Sequence, residues 1–206
     1  MPLDLHRLST LRPFLYHLTA SQNLASIELR RELSCTNQLL TEVSMQGLGS
    51  KRRTEHLELG TGIVIRDQKP LSAGSIAFED GWNLERFVSY VNDHVFFWPG
   101  TESGPIDAGI NHYTRYAHEQ PVVLRFPADP NTLTNLYFCR YNSGAPRCSG
   151  GKHSPRGSFT YQPASHFNGS CSQVTEVVAK GKLALPGSTQ VAASPSGPWA
   201  PLAGAT

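Results

Sequence analysis

Residues 173–183, QVTEVVAKGKL, place a carboxylate, Glu176, inside a run that otherwise reads as a buried β-strand. Side chains alternate along a strand, so Val174, Glu176 and Val178 share one face while Thr175, Val177 and Ala179 share the other. Glu176 then points into a core, into a cleft or, at a strand edge, to solvent. An unpaired buried carboxylate is costly, so the first two settings demand a basic partner, a proton or a ligand.

Working outward, residues 139–172 are dense in Gly, Ser, Pro and Asn and carry Arg140, Arg147, Lys152 and Arg156. So long a stretch without apolar period is either a functional loop or a disordered one. On the other side, GSTQVAASPSGPWAPLAGAT (187–206) has no apolar period and predicts a disordered tail. The globular part is then a single domain over residues 1–186. Within it, PVVLRFPA (121–128) reads as a strand and GPIDAGINHYTRYAHEQ (104–120) suits a helix. GWNLERFVSYVNDH (81–94) sets Trp82, Leu84, Phe87, Val88 and Val91 at helical intervals and leads into the strand VFFWPG (95–100). IVIRDQKPL (63–71) is a short strand with Arg66 on one face, stopped by Pro70, and it follows the basic triplet Lys51-Arg52-Arg53. Near the start, PFLYHLT (13–19) reads as a buried strand and SQNLASIELRREL (21–33) as a helix capped by Ser21.

Composition bounds the function. Hydrophobic residues at 39% are globular, whereas 17% charged residues with 15 prolines and 18 glycines predict much irregular structure. A formal charge of +2 does not by itself argue for nucleic acid or an acidic membrane. The first twenty residues lack a basic segment followed by an apolar run, and nowhere do about 18 apolar residues stand together. A cytoplasmic protein without a membrane span is expected. Cys35, Cys139, Cys148 and Cys171 contain no C-x-x-C pair; a zinc site from Cys139, Cys148, Cys171 and His153 stands against the default of reduced thiols.

The order of several motifs resembles a known family. LYHLTASQNLASI (15–27) is similar to the opening of DarT-type ADP-ribosyltransferases, and TEVVAKGKLALP (175–186) to their closing strand. The blocks VIRDQKPL, HVFFWPG, YNSGAP and SPRGSFTYQP more closely resemble an uncharacterised bacterial family related to that fold. The resemblance, over roughly residues 14–186, implies an α+β protein with an ADP-ribosyltransferase-like split β-sandwich and peripheral helices. It implies NAD as co-substrate, transfer of ADP-ribose to a nucleic-acid base or a protein, a toxin or antiviral role and an antitoxin partner. The alternatives are an NAD glycohydrolase and a noncatalytic nucleotide-binding module.

The same resemblance assigns residues. Glu176 is the catalytic glutamate, stabilising the positive charge that develops on the ribose as the glycosidic bond breaks. His17, Thr19 and Asn23 contact the dinucleotide. Arg66 is the expected cationic partner, since a guanidinium clamps a diphosphate with paired hydrogen bonds; Arg52 and Arg53 are its rivals. Asp67 and Gln68 hold the neighbouring backbone. Among Phe96, Phe97 and Trp98 an aromatic wall is expected, with Phe97 against the cofactor. Asn142, Arg147 and Arg156 fall where such enzymes recognise the acceptor. Neither Glu-x-Glu nor Gln-x-Glu is present, since Val174 and Thr175 precede Glu176.

Overall fold

Among the described residues, the strand that carries Glu176 belongs to a nine-stranded antiparallel sheet. The structure is a computed structural model and describes residues 3–143 and 155–204. In chain order its elements are α1 (Leu5–Leu11), β1 (Phe14–Thr19), α2 (Leu24–Arg30), β2 (Glu32–Ser34), α3 (Thr36–Glu42), β3 (Leu57–Glu58), β4 (Val64–Ile65), α4 (Leu84–Asn92), β5 (His94–Thr101), β6 (Gly104–Pro105), α5 (Asp107–Tyr116), β7 (Val122–Pro127), β8 (Leu136–Cys139), β9 (Gln162–Pro163), β10 (Glu176–Lys180), β11 (Lys182–Ala184), β12 (Gln190–Ala192) and β13 (Ala200–Pro201). The large sheet runs β13-β12-β7-β1-β5-β10-β8-β9, with β6 also on β5; β11 pairs β2 and β3 pairs β4. The chain is α+β.

The sheet parts along one line. β5 uses one edge for β10, from His94 to Phe97, and the other for β1, from Trp98 to Gly100. β1 stops pairing with β5 at Tyr16, although it continues along β7 to Thr19. Beside His17 and beyond, the backbone of β5 at His94–Phe97 therefore has no strand on that side among the described residues, and a cleft opens there. Buried backbone groups seek partners. The His17 side chain supplies one, its Nδ1 lying 2.9 Å from the Phe96 carbonyl oxygen.

One face of the sheet packs the largest core, in which Leu15, Phe97, Phe126, Phe138 and Val177 meet Leu5 and Leu8 of α1. Each fully buried phenylalanine there stabilises the fold by ~1.5–3 kcal/mol. On the other face α5 covers Tyr16 and Trp98 with Tyr116, while α4 buries Phe87, Val88 and Val91 against Leu71 and Ile76. Within the stretch 81–94 read as helical, α4 starts only at Leu84, where the Asn83 side chain caps it by accepting from Arg86 N at 2.8 Å.

Two expectations are corrected. The helix predicted over 21–33 is a 3-10 turn at Ser21–Asn23 followed by α2, and Ser21 makes no side-chain cap bond. Arg31 takes the left-handed conformation and the next three residues pair with β11, so tertiary strand pairing overrides local helical spacing. Nor is the segment from 187 a disordered tail. β12 pairs with β7, β13 pairs with β12, and Leu202 joins the main core. Arg125 fixes this segment by stacking 4.2 Å from the Trp199 ring and donating from Nε to Gln190 Oε1 at 2.7 Å. Among the described residues no helix is long and apolar enough to cross a membrane.

Candidate functional site

The parting of β1 and β5 forms a cleft of about 260 Å³, lined among others by His17, Thr19, Arg66, Trp98, His112 and Glu176. Glu176 is the first residue of β10, directly opposite Cys139 of β8, and is 3% exposed. Its Oε2 accepts from Ser143 N at 3.1 Å and from Ser143 Oγ at 2.6 Å. Burial raises the Glu176 pKa to about 7, against the lowering influence of the two Ser143 hydrogen bonds and of the nearby Arg156 charge. The group is thus a carboxylic acid and a carboxylate in comparable amounts near neutrality, the condition for moving a proton at that pH.

His17 faces it across the gap from β1. A carbonyl oxygen only accepts, so His17 Nδ1 carries the proton it gives to Phe96, leaving Nε2 as an acceptor. Burial lowers the His17 pKa to about 4, the Arg66 charge adding to the effect, so the ring is neutral at physiological pH. Thr19 Oγ1 accepts from Asn23 Nδ2 at 2.9 Å. The Asn23 amide then mimics a strand: Nδ2 also donates to Val64 O at 2.9 Å, and Oδ1 accepts from Val64 N at 2.7 Å. Both amide donors are spent, so Asn23 lines the cleft chiefly as the clamp that holds β4, two residues before Arg66.

Arg66 Nη1 donates to Glu119 Oε2 at 3.1 Å, and the guanidinium carbon lies 4.5 Å from the centre of the Tyr116 ring. The ion pair is with Glu119, not with Asp67 or Glu176. Arg66 Nε and Nη2 are buried with no hydrogen-bond partner among the described residues. Arg53, the rival cation, also lines the cleft, but it spends Nε on the Arg66 carbonyl at 3.0 Å and Nη2 on Asn92 Oδ1 at 3.2 Å. Burial lowers its pKa to about 10. Arg52 holds the Gln68 and Lys69 carbonyls. Asp67 accepts from Lys69 N, and Gln68 accepts from Arg53 N.

The sequence reading missed one whole wall. His112, Arg115 and Tyr116 of α5 all line the cleft, and Glu119 follows them in the next turn. Their spacing of three, one and three is that of a single helix face, a signal present in the sequence but passed over. His112 packs between Trp98 and Tyr116, at ring separations of 4.8 and 4.9 Å, and burial lowers its pKa to about 3.

Other expected residues lie elsewhere. Phe97 is fully buried in the main core, so it stabilises the sheet and does not wall the cleft; Phe96 and Trp98 line it instead. Arg156, expected on an acceptor-facing loop, is fully buried, 4.3 Å from the Tyr141 ring. Its backbone bonds to Ala77 O and Glu79 N draw the segment inward. Gly157 leaves room there for the Glu79 side chain, which a Cβ would meet. Asn142 lines the cleft beside Ser143. Arg147 lies outside the described residues, as do Cys148, Lys152 and His153 of the sequence reading. Cys35, Cys139 and Cys171 are free thiols, and among the described residues no cluster of His, Cys, Asp and Glu is placed to hold a metal ion.

Fold and cleft define an α+β protein whose antiparallel sheet opens over a cavity lined by both a buried carboxylate, Glu176, and a guanidinium, Arg66. Residues 13–184 match the model of the family of unknown function DUF7002, and the chain belongs to that family. No curated protein and no solved structure matches the chain significantly.

Proposed function

We propose that this protein is a mono-ADP-ribosyltransferase with an ADP-ribosyltransferase-like split sheet, using NAD and releasing nicotinamide. The observation that carries the reading is Glu176, held by Ser143 with a pKa of about 7 in the same cleft as neutral His17 and braced Arg66. The motifs that resemble DarT-type enzymes support it, because they supply His17, Thr19, Asn23 and Glu176 to one cavity, which Arg66 also lines.

In this reading the unpaired Arg66 edge takes the diphosphate oxygens, and His17 Nε2 accepts from a ribose hydroxyl. Glu176 Oε1 accepts from a hydroxyl of the nicotinamide ribose. As the glycosidic bond breaks, nicotinamide leaves with the bonding electron pair and positive charge spreads over the ribose, where the carboxylate stabilises it. The acceptor nucleophile bonds to the same carbon, and its proton passes to Glu176. The acceptor is a nucleic-acid base or a protein side chain, the setting that of a toxin or antiviral factor with an antitoxin partner.

The test is incubation with labelled NAD and single-stranded DNA, RNA or cell protein, followed by mass spectrometry for the added ADP-ribose. Modification of one acceptor class with nicotinamide release is expected. Free ADP-ribose with no modified acceptor assigns NAD glycohydrolysis instead, and no consumption of NAD overturns the enzyme reading.

A further inference from the structure

Two contacts fix the Arg66 guanidinium. Stacking on Tyr116 sets its plane, and Tyr116 is itself held by donation from Oη to Asp67 Oδ1 at 3.2 Å. Glu119, taking Nη1 at 3.1 Å, sets the rotation within that plane. The two carboxylates are in turn bridged by His56 Nε2, 3.4 Å from Asp67 Oδ2 and 3.5 Å from Glu119 Oε1. What remains is the opposite guanidinium edge, Nε and Nη2, buried and without a partner among the described residues. Those two N–H groups lie side by side and match two oxygens of one phosphate. Buried donors left unpaired are costly, so the arrangement is paid for by something that arrives. Glu119 is not among the residues that line the cleft.

We infer that Glu119 is a positioning residue: it sets the edge of Arg66 that receives the diphosphate, and acts on the ligand only through Arg66. This rests on the NAD reading above. Without Glu119 the guanidinium turns about its terminal bonds and offers its donors in many orientations, so ordering it falls to the ligand at the expense of affinity.

The experiment measures Kd for NAD and for ADP by calorimetry, and KM and kcat for NAD consumption. It uses wild type, Glu119→Ala, Glu119→Gln, Arg66→Ala and the double variant Arg66→Ala/Glu119→Ala. Glu119→Ala is expected to weaken both ligands about 10-fold, with the loss in KM rather than kcat. Glu119→Gln, which keeps an acceptor oxygen, recovers most of it. On the Arg66→Ala background Glu119→Ala adds nothing, as required of a residue that acts through Arg66. Unchanged ADP affinity in Glu119→Ala, or additive losses in the double variant, overturns the positioning role and leaves the NAD reading standing. A wild type that binds neither NAD nor ADP overturns both. Should Glu119→Ala not fold, Glu119→Met, of similar volume and without an acceptor, takes its place.

Discussion

The two walls of the cleft carry opposite charge and are built by opposite means. Glu176 sits on a strand whose backbone ladder to β8 and β5 fixes its direction, with Ser143 as the one side-chain adjustment. Arg66 follows a strand of only two residues, and its place is set by side chains: Asn23 on Val64, Arg53 on its own carbonyl, Glu119 and Tyr116 on its guanidinium. A group placed by a ladder inherits the rigidity of the sheet. A group placed by side chains depends on each of them.

The walls also respond to pH in opposite directions from one cause, burial. The Glu176 pKa rises from 4.5 to about 7, so its contribution to stability is fully present below about 4.5 and is lost as pH climbs through 7. The His17 pKa falls from 6.5 to about 4, so its contribution is fully present above 6.5 and is lost as pH drops through 4.

The sharpest test of the contrast is Glu176→Gln, expected to cut nicotinamide release by roughly 100-fold or more while NAD still raises the melting temperature. Normal turnover in that variant would remove the carboxylate wall from the chemistry. The same substitution is expected to stabilise the fold at pH 8 relative to pH 4.5, by on the order of 2–3 kcal/mol, because an amide has no charge to desolvate. Denaturant melts of variant and wild type at the two pH values read this directly, and a difference that does not change with pH breaks it. Arg66→Ala should fall on binding, weakening NAD about 10-fold or more, since hydrogen bonds to a charged group contribute ~1.5–3 kcal/mol. The smallest effect is that of Ser143→Ala. Losing its hydroxyl removes one of the two bonds that favour the ionised form, so the acidic limb of kcat/KM moves up by about half a pH unit to one unit.

Legibility in the sequence follows the same division. The strand character of residues 95–100, 121–128 and 176–180 was readable because β-branched and aromatic runs are what a sheet ladder selects. The position of Glu176 on the face opposite Val177 followed from a period of two. Phe97 was misjudged because the same period, without knowledge of where β1 leaves β5, does not say which face meets a ligand. His112, Arg115 and Tyr116 stood at helical intervals, yet nothing local said that this face of α5 would turn toward Arg66. Arg156 was misplaced because its burial depends on distant partners, Ala77 and Glu79.

The last strands carry a further lesson about the assembly of the sheet. Among the described residues β12, three residues long, is the strand that covers the outer edge of β7, and it comes some sixty residues later in the chain. A fragment cut at residue 186, where composition alone draws the boundary, leaves the N–H and C=O groups of β7 bare along Val123–Arg125. Such an open edge pairs readily with a neighbour, so the shortened chain is the form expected to self-associate and precipitate, and β12 acts as its guard.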